Sequence, residues 1–232
     1  MRILAATLLA ASCLATVAAA GCAAGTIDPV TTSAVGDGCG LMCPPPPASS
    51  VVRIDLSGGG HGSGVYIGNG VILTAAHVAK GEKMVMVKMD NGTVQSADVL
   101  WVNEAYDVAA LAPVHPNQMS PSPLSCRTPT VGDAIVAAGS PGDNDNLYIP
   151  GKIAGNERSN AVWKSVVVGN VTAGHGISGG GVFNDAGEVV GILVGGALDY
   201  TPDPVDGKFD LTSMGLAFIV PGSAVCGLLG RV

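Results

Sequence analysis

Apolar residues in this chain come in short runs divided by glycine, proline and asparagine, after one long apolar run at the start. The long run spans Ile3 to Ala20 and follows the single positive charge of Arg2. It ends in Ala18-Ala19-Ala20, small residues of the kind found where a secretory signal is cut. Residues 1–20 are therefore expected to be a signal peptide, and the mature protein to be exported. Residues 21–50 contain Pro44-Pro45-Pro46-Pro47, a stiff extended spacer, and are expected to form a Cys- and Pro-rich tether. From Val51 to the end at Val232, residues 51–232, the pattern is that of one folded domain.

Within that domain Val51–Leu56 predicts a first strand, and Gly58–Gly64 a flexible loop carrying His61. Val65–Ile67 and Val71–Thr74 predict a hairpin, with the Gly68-Asn69-Gly70 turn between them. Met84–Met89 predicts another strand and Val94–Val102 the one after it. Pro113, Pro116, Pro121, Pro123 and Pro129 then break any strand, which marks a connection between two halves. The pattern resumes in Val131–Ala138, Val166–Val168 with Val171, Val182-Phe183, Val189–Leu193 and Met214–Val220. Short strands at regular spacing with turn signals between them predict an all-β barrel or sandwich.

Composition sharpens this picture. The chain has 232 residues, enough for one substantial core or two small ones; 34 are glycine and only 12% are charged. A net charge of −7 argues against any general affinity for nucleic acid. After Ala20 no apolar run is long enough to span a bilayer as a helix. There are six cysteines, of which Cys13 falls in the signal. Ala19-Ala20-Gly21-Cys22 resembles the lipobox of bacterial lipoproteins, with Ala19 where leucine is usual. Two routes stay open: lipidation of Cys22, which would tether the protein to a membrane, and ordinary cleavage after Ala20. Export places Cys39, Cys43, Cys126 and Cys226 in an oxidising compartment. Two disulfides fit these four cysteines; three connectivities stay open, of which a staple from the leader to Cys126 or Cys226 is preferred. Cys39 and Cys43 lack a second Cys or His pair, so no metal site is expected.

Three segments carry chemistry. Thr74-Ala75-Ala76-His77 ends an apolar strand, and Asp107 opens Asp107-Val108-Ala109-Ala110-Leu111. Ser178 lies in Gly176-Ile177-Ser178-Gly179-Gly180-Gly181, a tight turn that exposes its hydroxyl and lets backbone N–H groups converge on one spot. A serine hydroxyl is a weak nucleophile at neutral pH and needs an adjacent base. His77 is that base, Asp107 fixes its tautomer, and the backbone N–H groups of Gly176 and Ser178 are the expected oxyanion hole. No metal or organic cofactor is required. Taken singly, each residue has a bland reading as a core histidine, a loop cap or a turn serine; the reading as a triad rests on their joint order.

These motifs resemble the trypsin-like, chymotrypsin-fold serine proteases, nearest the bacterial HtrA/Deg type. The resemblance runs through Gly62-Ser63-Gly64-Val65, Leu73 to Val78, Asp107 to Leu111, Val131-Gly132-Asp133, Ser178-Gly179-Gly180, Gly187 to Ile192 and Gly215 to Pro221. It implies two six-stranded antiparallel barrels with the active site in the cleft between them. It also implies that Thr172, Gly174, Val194 and Gly195 wall the substrate pocket. Three positions depart from the pattern. Ile177 stands where Asp or Asn is usual, which argues against activation by a new N-terminal amine. Gly181 replaces a proline, which loosens the chain after the nucleophile. Thr172, not an aspartate, stands six residues before Ser178, which disfavours cleavage after Arg or Lys. The chain ends soon after Pro221, so no PDZ domain is expected to follow.

The expected function is that of an exported serine endopeptidase, acting on polypeptides through an acyl-enzyme and preferring small or medium aliphatic P1 residues. The alternatives are an inactive protease-fold binding module of the envelope, and an acyl-ester hydrolase on the same triad.

Overall fold

The computed structural model describes residues 50–202 and 209–230. The signal peptide, the tether, the lipidation candidate Cys22, and Cys39 and Cys43 lie outside the described residues.

Val51, Val52 and Ile54 are fully buried, because their run pairs on both sides as strand β1 (Val51–Asp55). It joins β2 (His61–Tyr66), β3 (Ile72–Thr74), β4 (Met84–Met89), β5 (Val94–Asn103) and β6 (Val108–Pro113). These close into an antiparallel barrel in the order β1-β2-β3-β6-β5-β4. A second closed barrel takes the order β10-β11-β12-β9-β8-β7. Its strands are β7 (Ala134–Gly139), β8 (Leu147–Arg158), β9 (Val166–Gly169), β10 (Gly181–Phe183), β11 (Val189–Pro202) and β12 (Phe209–Pro221). Closure removes the unpaired edges that an open sheet would expose. The one-turn helix α1 (Ala76–Ala79) follows β3, and α2 (Gly222–Leu228) follows β12. Pro113, expected to break any strand, instead ends β6; the Pro-rich stretch from there to Thr130 is the connection expected from its composition, irregular apart from one turn of 3₁₀ helix at Pro116–Gln118 and a single bridge from Leu124 to Val189.

The structure departs from the sequence reading at four further places. His61 to Gly64 belong to β2 instead of a loop, in register with Asp55 to Val52. Small residues are needed there, since a Cβ on Gly64 would lie 2.9 Å from the Ile72 side chain. The whole of β8 was absent from the apolar pattern, because few of its side chains are buried; Ile153 is one of them. Strands β11 and β12 run on past Leu193 and before Met214, pairing from Leu198↔Ser213 to Pro202↔Phe209 as a long hairpin.

The fourth difference concerns the cysteines. Cys126 and Cys226 bond to each other, with Cα atoms 5.5 Å apart, and not to the leader. The Ser125 N–H donates to the Val189 carbonyl, and Thr128 and Ser223 share a hydroxyl contact of 2.6 Å. These contacts bring the connection onto α2 and place the two thiols together. The bond spans a sequence separation of 100 residues. Closing so long a loop in the unfolded chain stabilises the fold by about 4 to 5 kcal/mol on the chain-entropy model.

Candidate active site

Of the candidate triad residues, His77 and Ser178 line one cleft and Asp107 is hydrogen-bonded to His77. The fully buried β3 ends at Thr74, and α1 then lifts His77 to the surface with half its side chain exposed. Asp107 sits at the turn just before β6, at φ 58°, a left-handed conformation uncommon outside glycine but several-fold enriched in aspartate and asparagine. Its carboxylate accepts three N–H groups. The His77 Nδ1–H donates to Oδ2 at 2.8 Å, the His77 backbone N–H to Oδ1 at 2.9 Å, and the Trp163 indole N–H to Oδ2 at 3.2 Å. Burial pushes the Asp107 carboxyl up. The side-chain and backbone hydrogen bonds of His77, its charge and the Trp163 donor outweigh that and hold it below the usual carboxylate range. With Nδ1 committed to the carboxylate, Nε2 of neutral His77 is left as the acceptor.

Ser178 follows Ile177, which is buried and packed in the second barrel. The nucleophile turn is pinned from both barrels. The Gly179 N–H donates to Leu193 O at 2.7 Å, and the Gly180 N–H to Ile177 O at 2.9 Å. From β2, the Ser63 N–H donates to Ser178 O at 2.8 Å and the Ser63 hydroxyl to Gly176 O at 2.7 Å. Gly179 lies at φ 87°, and a Cβ there would run into the Ser63 carbonyl and the Thr74 hydroxyl. Gly176 lies at φ 95°, pressed against His61 and the Ser140 carbonyl. Only glycine meets both demands at each position.

Among the described residues, the backbone N–H groups of Gly176 and Ser178 donate to no protein acceptor, and the Ser178 hydroxyl makes no hydrogen bond. N–H groups without an acceptor are able to donate to a developing negative charge. The Ser178 hydroxyl and His77 face one cleft of about 620 Å³. Gly174 and Gly195 also line it, with His61, His175 and Leu198. Thr172 is exposed and Val194 buried, and neither lines the cleft. Among the described residues no carboxylate lines it. A separate cavity of about 490 Å³, beside Thr128, Asp133 and Glu188, contains no triad residue.

Sequence reasoning missed two participants. Ser63 was read as part of a family motif, but it is fully buried and ties the oxyanion turn to the first barrel. Its hydroxyl also accepts the Ser140 N–H at 2.8 Å. Trp163, the tryptophan on Asp107, lies in an irregular stretch whose composition gives no signal. The Ser63→Ala variant leaves the Gly176 carbonyl and the Ser140 N–H without their partner. It is expected to lower kcat about 100-fold with little change in KM, because a small displacement of the oxyanion donors acts on the transition state. Steady-state kinetics on a peptide substrate, with melting temperature as a control for folding, check this.

A sequence model described as a trypsin-like peptidase domain matches residues 62–192. Serine endoprotease DegS of Haemophilus influenzae is 33% identical over 138 residues, covering 56% of this chain and 40% of that protein. The chain thus spans two fifths of that relative's length. Among solved structures, an inactive form of Rv3671c from M. tuberculosis superposes with a TM-score of 0.63 at 24% identity, covering 80% of this chain and 87% of the other. A serine endoprotease from Yersinia pestis gives a TM-score of 0.64 at 24% identity, covering 80% and 63%. The structural likenesses establish the fold: two chymotrypsin-like barrels.

Proposed function

The chain belongs to the trypsin-like peptidase domain family, and from that premise we propose that it is an exported serine endopeptidase of the HtrA/Deg type. The observation that carries the reading is the joint presence in one cleft of an oriented His77, the Ser178 hydroxyl and the free N–H groups of Gly176 and Ser178. His77 Nε2 takes the Ser178 proton as Oγ attacks the scissile carbonyl. The carbonyl oxygen becomes an oxyanion that accepts hydrogen bonds from Gly176 and Ser178. Each such donor is worth about 3 kcal/mol in the transition state. His77 then protonates the departing amine, leaving an acyl-Ser178 ester. Water, deprotonated by His77, hydrolyses the ester and restores the hydroxyl. Asp107 stabilises the imidazolium in both steps.

The cleft walls at Gly174, Leu193, Gly195 and Gly196 are small or aliphatic and offer a cationic side chain no partner. We therefore propose small or medium aliphatic P1 residues in polypeptide substrates. On a peptide library, cleavage is expected after Val, Ala or Leu at least tenfold faster than after Arg, since an unpaired buried cation costs several kcal/mol. Efficient cleavage after Arg alone would refute this assignment. The Cys126–Cys226 bond supports an oxidising compartment. Lipidation of Cys22 would tether the protein to a membrane, and the intact mass of membrane-extracted protein decides it.

The reading is tested with a fluorophosphonate probe on the purified chain, followed by peptide mapping of the adduct. A single adduct at Ser178 supports an activated nucleophile. No adduct in folded protein would instead favour an inactive binding module, a reading consistent with a Ser178 hydroxyl that makes no hydrogen bond among the described residues. Parallel peptide and ester substrates separate a peptidase from an acyl-ester hydrolase.

A further inference from the structure

Trp163 lies between β8 and β9, on the second barrel, yet its indole reaches the acid of the first. The approach is built from several sides. Asn160 Oδ1 accepts the N–H groups of Val162 and Trp163, both at 2.8 Å, and the Asn160 N–H donates to the Trp163 carbonyl at 3.0 Å. This small ring fixes the backbone on which the indole is carried. The next residue, Lys164, donates its backbone N–H to Ala105 O at 2.8 Å, and its ammonium lies 5.3 Å from the centre of the Tyr106 ring. The segment carrying Trp163 is therefore bonded to the turn that carries Asp107.

The indole ring is held as firmly as its backbone. It packs on Phe218 with ring centres 4.9 Å apart and planes tilted by 35°. Its far edge lies against the cleft wall at Gly195, where a Cβ would sit 3.0 Å from two ring carbons. Gly195 is not in the left-handed region, so its backbone conformation does not demand glycine. The indole instead crowds the position, and a side chain there would press on the ring.

We propose that Trp163 is a positioning residue for Asp107: its indole N–H fixes Oδ2 of the carboxylate, so that the carboxylate presents one orientation to the imidazole. The inference rests on the reading of His77, Asp107 and Ser178 as a triad. Without a third donor the carboxylate is held by His77 alone, the residue it has to orient. The Asp107 turn, at φ 58°, is a conformation that surrounding contacts must maintain. The Trp163 contact, made from the opposite barrel, also couples the alignment of the acid to the junction at which substrate binds. Hydrogen bonds from His77 hold the carboxyl low, and the indole adds a further, neutral donor that stabilises its ionised form.

The test replaces Trp163 in two ways. Trp163→Phe keeps an aromatic ring on Phe218 and removes the donor. Benzothienylalanine at position 163, which has sulfur in place of the indole N–H, removes the donor with almost no change of shape and covers the case in which Trp163→Phe fails to fold. The Asp107 carboxyl is followed by carbon-13 NMR through an acid titration, and kcat and KM are measured on a peptide substrate. Loss of a donor to the charged form moves the Asp107 midpoint to higher pH. The expected result is that upward shift, with kcat lowered about tenfold and KM changed less than twofold, as for an interaction that matters in the transition state. An unchanged Asp107 midpoint overturns the proposal, even if kcat falls, since the loss would then be general loosening. The titration needs no turnover, so it decides the role of Trp163 even in a protein that hydrolyses nothing.

Discussion

Ser178→Ala is expected to remove peptide hydrolysis almost completely, lowering kcat about 10⁶-fold. The alanine keeps the turn intact, because that turn is held by backbone groups: Ser63 N–H to Ser178 O, Gly179 N–H to Leu193 O and Gly180 N–H to Ile177 O. What disappears is the atom that forms the acyl-enzyme. His77→Ala is expected to cost nearly as much, since the Ser178 hydroxyl then loses the base oriented by Asp107. The double variant should be no worse than either single one, because the two residues act as a unit. Turnover of a fluorogenic peptide by the four proteins, at enzyme concentrations high enough to see residual rates, is the measurement. A small residual rate over water is expected in every variant, from the Gly176 and Ser178 N–H groups and from substrate binding. Additive losses would instead mean that Ser178 and His77 work separately, and the acyl-enzyme mechanism would fail. Binding of a peptide by Ser178→Ala should persist, as the walls at Gly174 and Gly195 are untouched.

The candidate residues His77 and Asp107 are legible in the amino-acid sequence because they sit at the ends of strongly apolar strands. Val71-Ile72-Leu73 leads to His77, and Val108 to Leu111 follows Asp107; both runs are largely buried and so read as continuous apolar segments. The glycines around Ser178 are equally readable, since a turn at positive φ leaves few other choices. What stays hidden depends on tertiary contact. Strand β8 has mostly exposed side chains, so its pairing with β7 and β9 leaves little trace in hydropathy. Ser63 and Trp163 act across the barrel junction, and no local pattern records a partner 113 or 56 residues away. The expected pairing with the leader cysteines failed for the same reason: spacing alone cannot tell that α2 folds back onto the Pro-rich connection. Of the residues expected to wall a substrate pocket, not all reach the cleft. Gly174 and Gly195 line the cleft, whereas Val194, one residue away on the alternating strand, turns into the core.

Asp107→Asn is expected to lower kcat about 10⁴-fold while leaving the backbone in place. Asparagine tolerates the left-handed conformation at φ 58° as well as aspartate does, so the substitution isolates charge from strain. A carboxylate accepts from the His77 N–H, the His77 Nδ1–H and the Trp163 N–H together. A carboxamide has one accepting oxygen and an NH₂ group, so one of those donors must face another donor. If the NH₂ faces Nδ1, the imidazole carries its proton on Nε2 and can no longer accept one from Ser178. The same substitution has a signature in stability. The Asp107 carboxyl titrates lower in the folded protein than in the unfolded chain, so its contribution is fully present above the ordinary carboxylate range near pH 4. It is lost as pH falls through the lowered folded value. Asp107→Asn should therefore be less stable than the parent at pH 7, and the gap should narrow toward pH 2. Urea unfolding of both proteins across that range measures it. A gap independent of pH would mean that the carboxylate gains nothing from its three donors in the folded state, and the large loss of kcat would then need another cause. A gap that closes in acid, with the catalytic loss at neutral pH, would place both effects in one ionised carboxylate held between the two barrels.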